Sequence, residues 1–408
     1  MGRRAVKRWW ARVGEARRRR AWMAAHPGRP VDVVVSHAEV NARHGTGVLT
    51  QRLFGGAPDL VSVRSHDDYD ARQGFGAWSV RIPQPDLAHQ AAARRVQAVF
   101  RGVPVRRVVA IPFYPDDVSN ALALRELASG PLCTYVMDDR NVQAAGIPDA
   151  QLVELLSRSA LRLAVSEEIR DAYQRKFGLP FAYVPPVIDP ALVLRSPAPP
   201  PPEALARRRG VMIGNVWGPG WLARLCRVVQ EAGIEIDWYS SAGLDWHALG
   251  VEDLRRAGIR WQTGPPDAGL VALLRRAAYA VHPTGTLDAD DDHQAIARLS
   301  LPSKLVYTTA AAHLPALVIG HPETAAARFV TRTGVGMVVP YQGRALAAAV
   351  AAVVRPEMQS ALRARAAALA PAFSAEGAGD WIWRSMSAGR PADDRWERLT
   401  AAAARLGA

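Results

Sequence analysis

Apolar residues along this chain fall in short runs separated by longer amphipathic stretches, the alternation expected of strands that feed helices. Val31–Ser36 (VDVVVS) reads as a buried strand, followed by the loop HAEVNARHGTG and an apolar helix from Val48. Segments 108–112, 132–137 (LCTYVM), 161–165 and 181–184 read as further strands, and Asp149 precedes a helix carrying Leu152, Val153, Leu155 and Leu156. Ser166 is placed to cap a helix whose first turn holds Glu167 and Glu168, acids that favour the positive end of the dipole, and Gly178 closes it. This repetition predicts an α/β domain with a mostly parallel sheet.

The pattern breaks at 185–202, where eight prolines exclude regular helix and central strand. Beyond it, strands at 210–214, 234–239, 259–262 and 279–282 alternate with helices at 221–232, 251–257 and 270–277. Pro302, Ser303 and Lys304 then stand at a helix start, 314–319 is a short apolar strand, and Glu323 and Thr324 open the next helix. The expected organisation is an arm at 1–30, an α/β domain at 31–188, a proline-rich linker at 189–206, a second α/β domain at 207–370 and closing helices at 371–408. In the last segment Trp381, Trp383 and Trp396 read as core rather than as a binding platform.

Composition adds limits. At 408 residues the chain is too long for one ordinary core. A charged content of 22% against 49% hydrophobic suits a folded protein. Cys133 and Cys226 lack metal-ligand spacing, which argues against a disulfide framework or zinc site and for a reducing, cytoplasmic setting. No apolar run reaches the length of a membrane span. Residues 1–30 carry nine of the thirteen net positive charges, with Trp9, Trp10 and Trp22 among them. A solvated tail and an interfacial helix on an anionic membrane surface both fit, the latter placing the protein peripherally on the inner face. Nucleic acid is not expected.

Unpaired N–H groups and the dipole at a helix start favour an anion, and Lys304 adds a charge there. The order WQTGPPDAGLVALLRRAAYAVHPTG, SLPSKLVYTTAAAHLPALVIG, FVTRTGVGMVV, with AVSEEIRDAYQRKFG and YVPPVID before the linker, resembles the GT-B glycosyltransferases, most closely the family 4-like retaining enzymes. The likeness covers roughly residues 160 to 355. It implies two Rossmann-like α/β domains facing across a cleft, with a nucleotide-diphosphate sugar on the second and a glycan or lipid-linked acceptor on the first.

The same resemblance assigns candidate roles. Lys304 would offset charge growing on the leaving diphosphate, with Ser303 donating to a phosphate or simply capping its helix. Gly45, Thr46 and Gly47 resemble a glycine loop that lets backbone approach the donor. His282 could reach the base or ribose or be a core histidine, and Glu323 and Thr324 would lie near the donor sugar or α-phosphate. Where family members usually carry a ribose-gripping glutamate, this chain has Tyr307, which cannot hold two hydroxyls as a carboxylate does. That departure keeps open a non-catalytic GT-B-like protein that binds a glycan or partner. In the first domain Asp138, Asp139 and His37 follow strands and could orient or deprotonate an acceptor hydroxyl, and either acid could instead cap a turn. Asp288 and Asp290 fit a D-x-D metal pattern, but a solvated loop is the expectation and no metal or other cofactor is expected.

Overall fold

The structure, a computed structural model, describes residues 3–69, 74–197, 202–240, 243–244, 248–397 and 399. Parts of the expected arm, linker and closing segment, namely residues 1–2, 198–201, 398 and 400–408, lie outside these. Among the described residues, one sheet is built from β1 (Val31–Ser36), β2 (Leu60–Arg64), β3 (Trp78–Arg81), β4 (Val105–Ala110), β5 (Leu132–Val136), β6 (Leu161–Ala164) and β7 (Ala182–Tyr183). Its order is β3-β2-β1-β4-β5-β6-β7, and every pairing is parallel. A second all-parallel sheet holds β8 (Gly210–Ile213), β9 (Ile236–Ser240), β10 (Ile259–Thr263), β11 (Tyr279–Pro283), β12 (Ala316–Ile319) and β13 (Gly336–Val339) in the order β10-β9-β8-β11-β12-β13. In each sheet the order reverses beside the first strand, between β1 and β4 and between β8 and β11, and ligands of doubly wound sheets bind at the carboxyl ends of such strands.

Every residue of β1 is buried, as a strand covered on both faces requires. Its one charge, Asp32, is held by Arg106 and Arg107 at 2.6 Å each. The predicted caps are present: Ser166 Oγ accepts from Ile169 N at 3.0 Å, and Gly178 takes the left-handed conformation at φ 66°.

Met1–Val184 and Gly377–Asp393 form one compact unit, Pro185–Glu376 and Asp394–Ala408 the other. The chain is therefore divided differently from the expected boundaries. Ile188 exchanges backbone hydrogen bonds with Phe373 and Ala375, at 2.8 Å each, which puts the start of the linker in the second unit. Helix Ala378–Ala388 packs on the first unit, where Trp383 lies 5.2 Å from Phe54 and under the Arg107 guanidinium at 4.2 Å. Trp381 and Trp396 are core residues. The proline-rich stretch also contains more structure than expected, a 3-10 turn at Pro190–Leu192 and a short helix at Pro202–Arg207.

The expected arm is a helix, Arg3–Ala25, packed on β3 of the first unit. Glu15 is buried and takes a two-pronged hydrogen bond from the buried Arg64 at 2.9 and 3.2 Å, with Ser79 donating at 3.0 Å. Arg64 also reaches Asp67 at 2.9 Å, and Arg12 pairs with the same Asp67 at 2.9 Å. Among the described residues no helix is long and apolar enough to cross a membrane.

Candidate functional site

In the second unit, chain reversal after β8 needs a left-handed residue, supplied by Gly214 at φ 69°. The turn is pinned from β9: Trp238 Nε1 donates to Gly214 O at 2.7 Å, and Ser240 Oγ donates to Asn215 Oδ1 at 2.9 Å. Opposite it, helix Ser303–Ala312 begins with Pro302 as N-cap and no side-chain cap, and Leu305 N donates to Pro302 O at 3.0 Å. Ser303 is the first helical residue, which removes the capping role considered for it. Lys304 is half-buried and its Nζ donates to Asn215 O at 2.8 Å. Burial pushes this ammonium down to about 8, and among the described residues no carboxylate pairs with it.

His282, at the end of β11, is buried with Nε2 3.1 Å from Thr308 Oγ1. Burial, then the Lys304 charge, pushes it down to about 3, so it is a neutral imidazole beneath the Lys304 helix. Tyr307, one turn after Lys304, is buried. Thr324 is spent on structure: it caps helix Ala325–Thr333, accepting from Ala327 N at 3.3 Å and donating to His321 O at 2.9 Å. Glu323 is exposed, its carboxylate 3.6 Å from Arg298.

The acidic loop is tied inward. Buried Asp291 accepts from Trp221 Nε1 at 2.7 Å, Leu287 N at 2.9 Å and His293 N at 3.0 Å, and Asp292 accepts from Gly220 N at 3.1 Å. Asp288 lies 3.5 Å from Arg224 and accepts from Asp290 N at 3.2 Å. Among the described residues, no group of three or more acids, histidines or cysteines is placed to hold a metal.

In the first unit, His37 follows β1 and Phe113–Tyr114 follow β4, bringing the rings together at the other reversal. His37 is 4.7 Å from Phe113 and 6.1 Å from Tyr114, and His66 is 4.6 Å from Tyr114. His44 stacks on Tyr69 at 4.3 Å with the planes 3° apart. Arg140 lies 4.3 Å over Phe113 and donates to its carbonyl at 3.1 Å. Asp117 fixes the Phe113–Tyr114 turn by accepting both backbone N–H groups, at 2.9 and 2.8 Å, and the Ser65 hydroxyl. Burial, opposed by those hydrogen bonds, pushes Asp117 up to about 6.

His37 is pushed down to about 3 by burial and then by His44, His66 and Arg140. Its Nδ1 is buried without a hydrogen-bond partner among the described residues. His44 has its tautomer fixed by its neighbours: Nδ1 accepts from Gly47 N at 3.3 Å, so Nε2 carries the proton given to Glu39 O at 2.7 Å.

Two first-unit expectations change. The HGTG segment is no loop ahead of a helix at Val48, because the helix starts at Gly45 with His44 as N-cap. Gly47's amide is spent on His44, and a Cβ there would meet Asn41 O at 2.5 Å, so this glycine serves close packing. Gly45, exposed, and Thr46, half-buried, lie in the first turn of that helix. Asp139 is committed to the fold, accepting from Asn141, Val142 and Gln143 N and from Tyr173 Oη at 2.7 to 3.1 Å. Asp138 is half-buried beside it. His66, Tyr69, Tyr114 and Arg140 carry no motif in the sequence, since three different strand ends bring them together.

No family model matches the chain, and no curated relative does. Solved structures do. HepE from Anabaena in complex with UDP superposes at a TM-score of 0.60 with 12% identity, over 88% of this chain and all of that one. Sucrose-phosphate synthase from Thermosynechococcus elongatus gives 0.57 with 13% identity over 92% of this chain and all of its own, and MurG from Acinetobacter baumannii 0.53 with 13% over 87% and all of its own. The chain has the two-domain α/β GT-B fold of these proteins.

Proposed function

We propose that this protein is a glycosyltransferase that moves a sugar from a nucleotide-diphosphate donor to a glycan or lipid-linked acceptor, with retention, as in the family 4-like enzymes. The observation that carries the reading is Lys304: a half-buried cation with no carboxylate partner among the described residues, at an uncapped helix start and at the sheet's order reversal. A diphosphate placed there would meet the ammonium and the N–H groups of the helix's first turn together, and both would stabilise charge growing on the leaving group. The donor class seen with one structural neighbour, UDP, supports the choice of ligand. In this reading the first unit's basket of His37, His66, Phe113 and Tyr114 receives the acceptor, with the neutral His37 or Asp138 at its hydroxyl. A lipid-linked acceptor would lie at a bilayer surface, and the basic segment 1–30 would meet an anionic one.

A second reading, a non-catalytic glycan or partner binder, is favoured by one observation. Tyr307 is buried where a glutamate would grip the ribose. Incubation with UDP-, GDP-, dTDP- and ADP-sugars, followed by release of nucleoside diphosphate, separates the two. Turnover of one donor class, raised by acceptor, supports the transferase; binding without release in every case supports the binder.

A further inference from the structure

Helix Arg3–Ala25 presents two faces of opposite character. Arg12, Glu15 and Arg19 recur at helical spacing and face the first sheet: Arg12 meets Asp67, Glu15 meets Arg64 and Ser79, and the Arg19 guanidinium lies 5.6 Å from the Trp78 ring. Val6, Trp10, Val13, Arg17 and Arg20 form the opposite stripe, with Trp9 beside it. Val6 is 40% exposed, Trp9 52% and Trp10 59%, and Arg17, Arg18 and Arg20 are exposed. Glu15 is the only acid in the helix, and it is turned inward. Its buried pairing with Arg64 fixes the rotation of the helix about its axis and so decides which face looks out.

We infer that this outward face docks the protein on an anionic phospholipid surface, with Trp9, Trp10 and Val6 entering the headgroup boundary and Arg17, Arg18 and Arg20 meeting lipid phosphates. Indole rings favour that boundary, where an apolar body and an N–H donor are both accommodated, and arginine is suited to phosphate. Charge decides among occupants. A second copy of the same face would set arginines against arginines, whereas an anionic bilayer complements them. This rests on and deepens the membrane part of the proposed function, naming the helix face and residues that carry it, and it needs no donor.

The test is co-sedimentation of the full chain with phosphatidylcholine vesicles containing phosphatidylglycerol, against pure phosphatidylcholine. Binding is expected only to the anionic vesicles, weakening with salt. Trp9→Ala with Trp10→Ala, and separately Arg17→Glu with Arg20→Glu, should each reduce the partition coefficient by about tenfold or more. Circular dichroism and donor titration on the same samples should be unchanged. Equal partitioning of wild type and both double variants would overturn the proposal. So would self-association or oligonucleotide binding that the tryptophan pair abolishes while vesicle binding stays. Loss of donor binding in wild type would count against the transferase reading and leave this result intact.

Discussion

Lys304 Nζ donates to the backbone carbonyl of Asn215 at 2.8 Å, linking two residues 89 positions apart across the point where the second sheet changes direction. A carbonyl satisfies one ammonium proton and none of its charge. The remaining demand is for an anion, and its consequences can be measured.

The pH dependence of donor binding follows from the Lys304 shift. An anion favours the charged ammonium, so affinity should be flat below about pH 8 and fall above it by up to about tenfold per pH unit until the pKa of the complex is reached. Without ligand the sign is opposite. The cost of the buried charge is present below about 8 and is relieved as pH rises toward the unfolded value of 10.5, so stability rises across that window. Calorimetry in buffers of different ionisation enthalpy would detect proton uptake on donor binding at alkaline pH.

Acid should destabilise the protein through His37 and His282. Each is lowered from 6.5 to about 3, so the unfolded chain binds more protons between those values and stability falls as pH drops through them. The limit is about tenfold in the folding constant per pH unit per histidine. Urea midpoints across that range should show a shallower decline for His37→Asn and His282→Asn.

The two adjacent aspartates should separate cleanly. Asp139→Ala removes the acceptor of three backbone N–H groups and a tyrosine hydroxyl, and should cost about 3 kcal/mol by denaturant unfolding. Asp138→Asn should cost under about 1 kcal/mol and lower turnover. An inverted pattern would reassign their roles.

Glu15→Ala removes one of the two carboxylates that hold the buried Arg64 guanidinium, leaves Asp67 as the other, and should cost roughly 1 to 3 kcal/mol of stability. Replacing Glu15 and Arg64 together by leucine or methionine should recover only part of that loss, because the buried Asp67 then keeps Arg12 but loses Arg64. Thermal unfolding of the single and double variants reads this directly.

The same network shows where sequence reasoning stopped. Uniform apolar runs such as VDVVVS, and capping pairs such as Ser166 with Gly178, depend only on neighbours in sequence and were legible. β2 and β3 were not, because LVSVR and WSVR carry arginines and serines that read as exposed. Arg64 is buried in β2 because its counter-charge arrives from Glu15, 49 residues away. Helix Pro115–Leu127 is buried on most sides, which erases the amphipathic period that marks helices His89–Phe100 and Asp149–Arg158 more clearly. In the site, Lys304 was legible from its helix-start context. Its partner Asn215 and the ring cluster of His66, Tyr69 and Tyr114 depend on strand order, which no local pattern states. For Asp139 the sequence left two roles open, because a carboxylate after a strand looks the same whether it awaits substrate or ties down its own loop.

The most direct measurement is calorimetric titration of UDP, GDP, dTDP and ADP sugars into wild type and Lys304→Ala. Wild type should bind one donor class saturably, and the variant, with unchanged circular dichroism, should bind it about ten- to a hundredfold more weakly, the range of a lost charge-assisted contact. Equal affinity in the folded variant would contradict the assignment of Lys304 to the donor diphosphate.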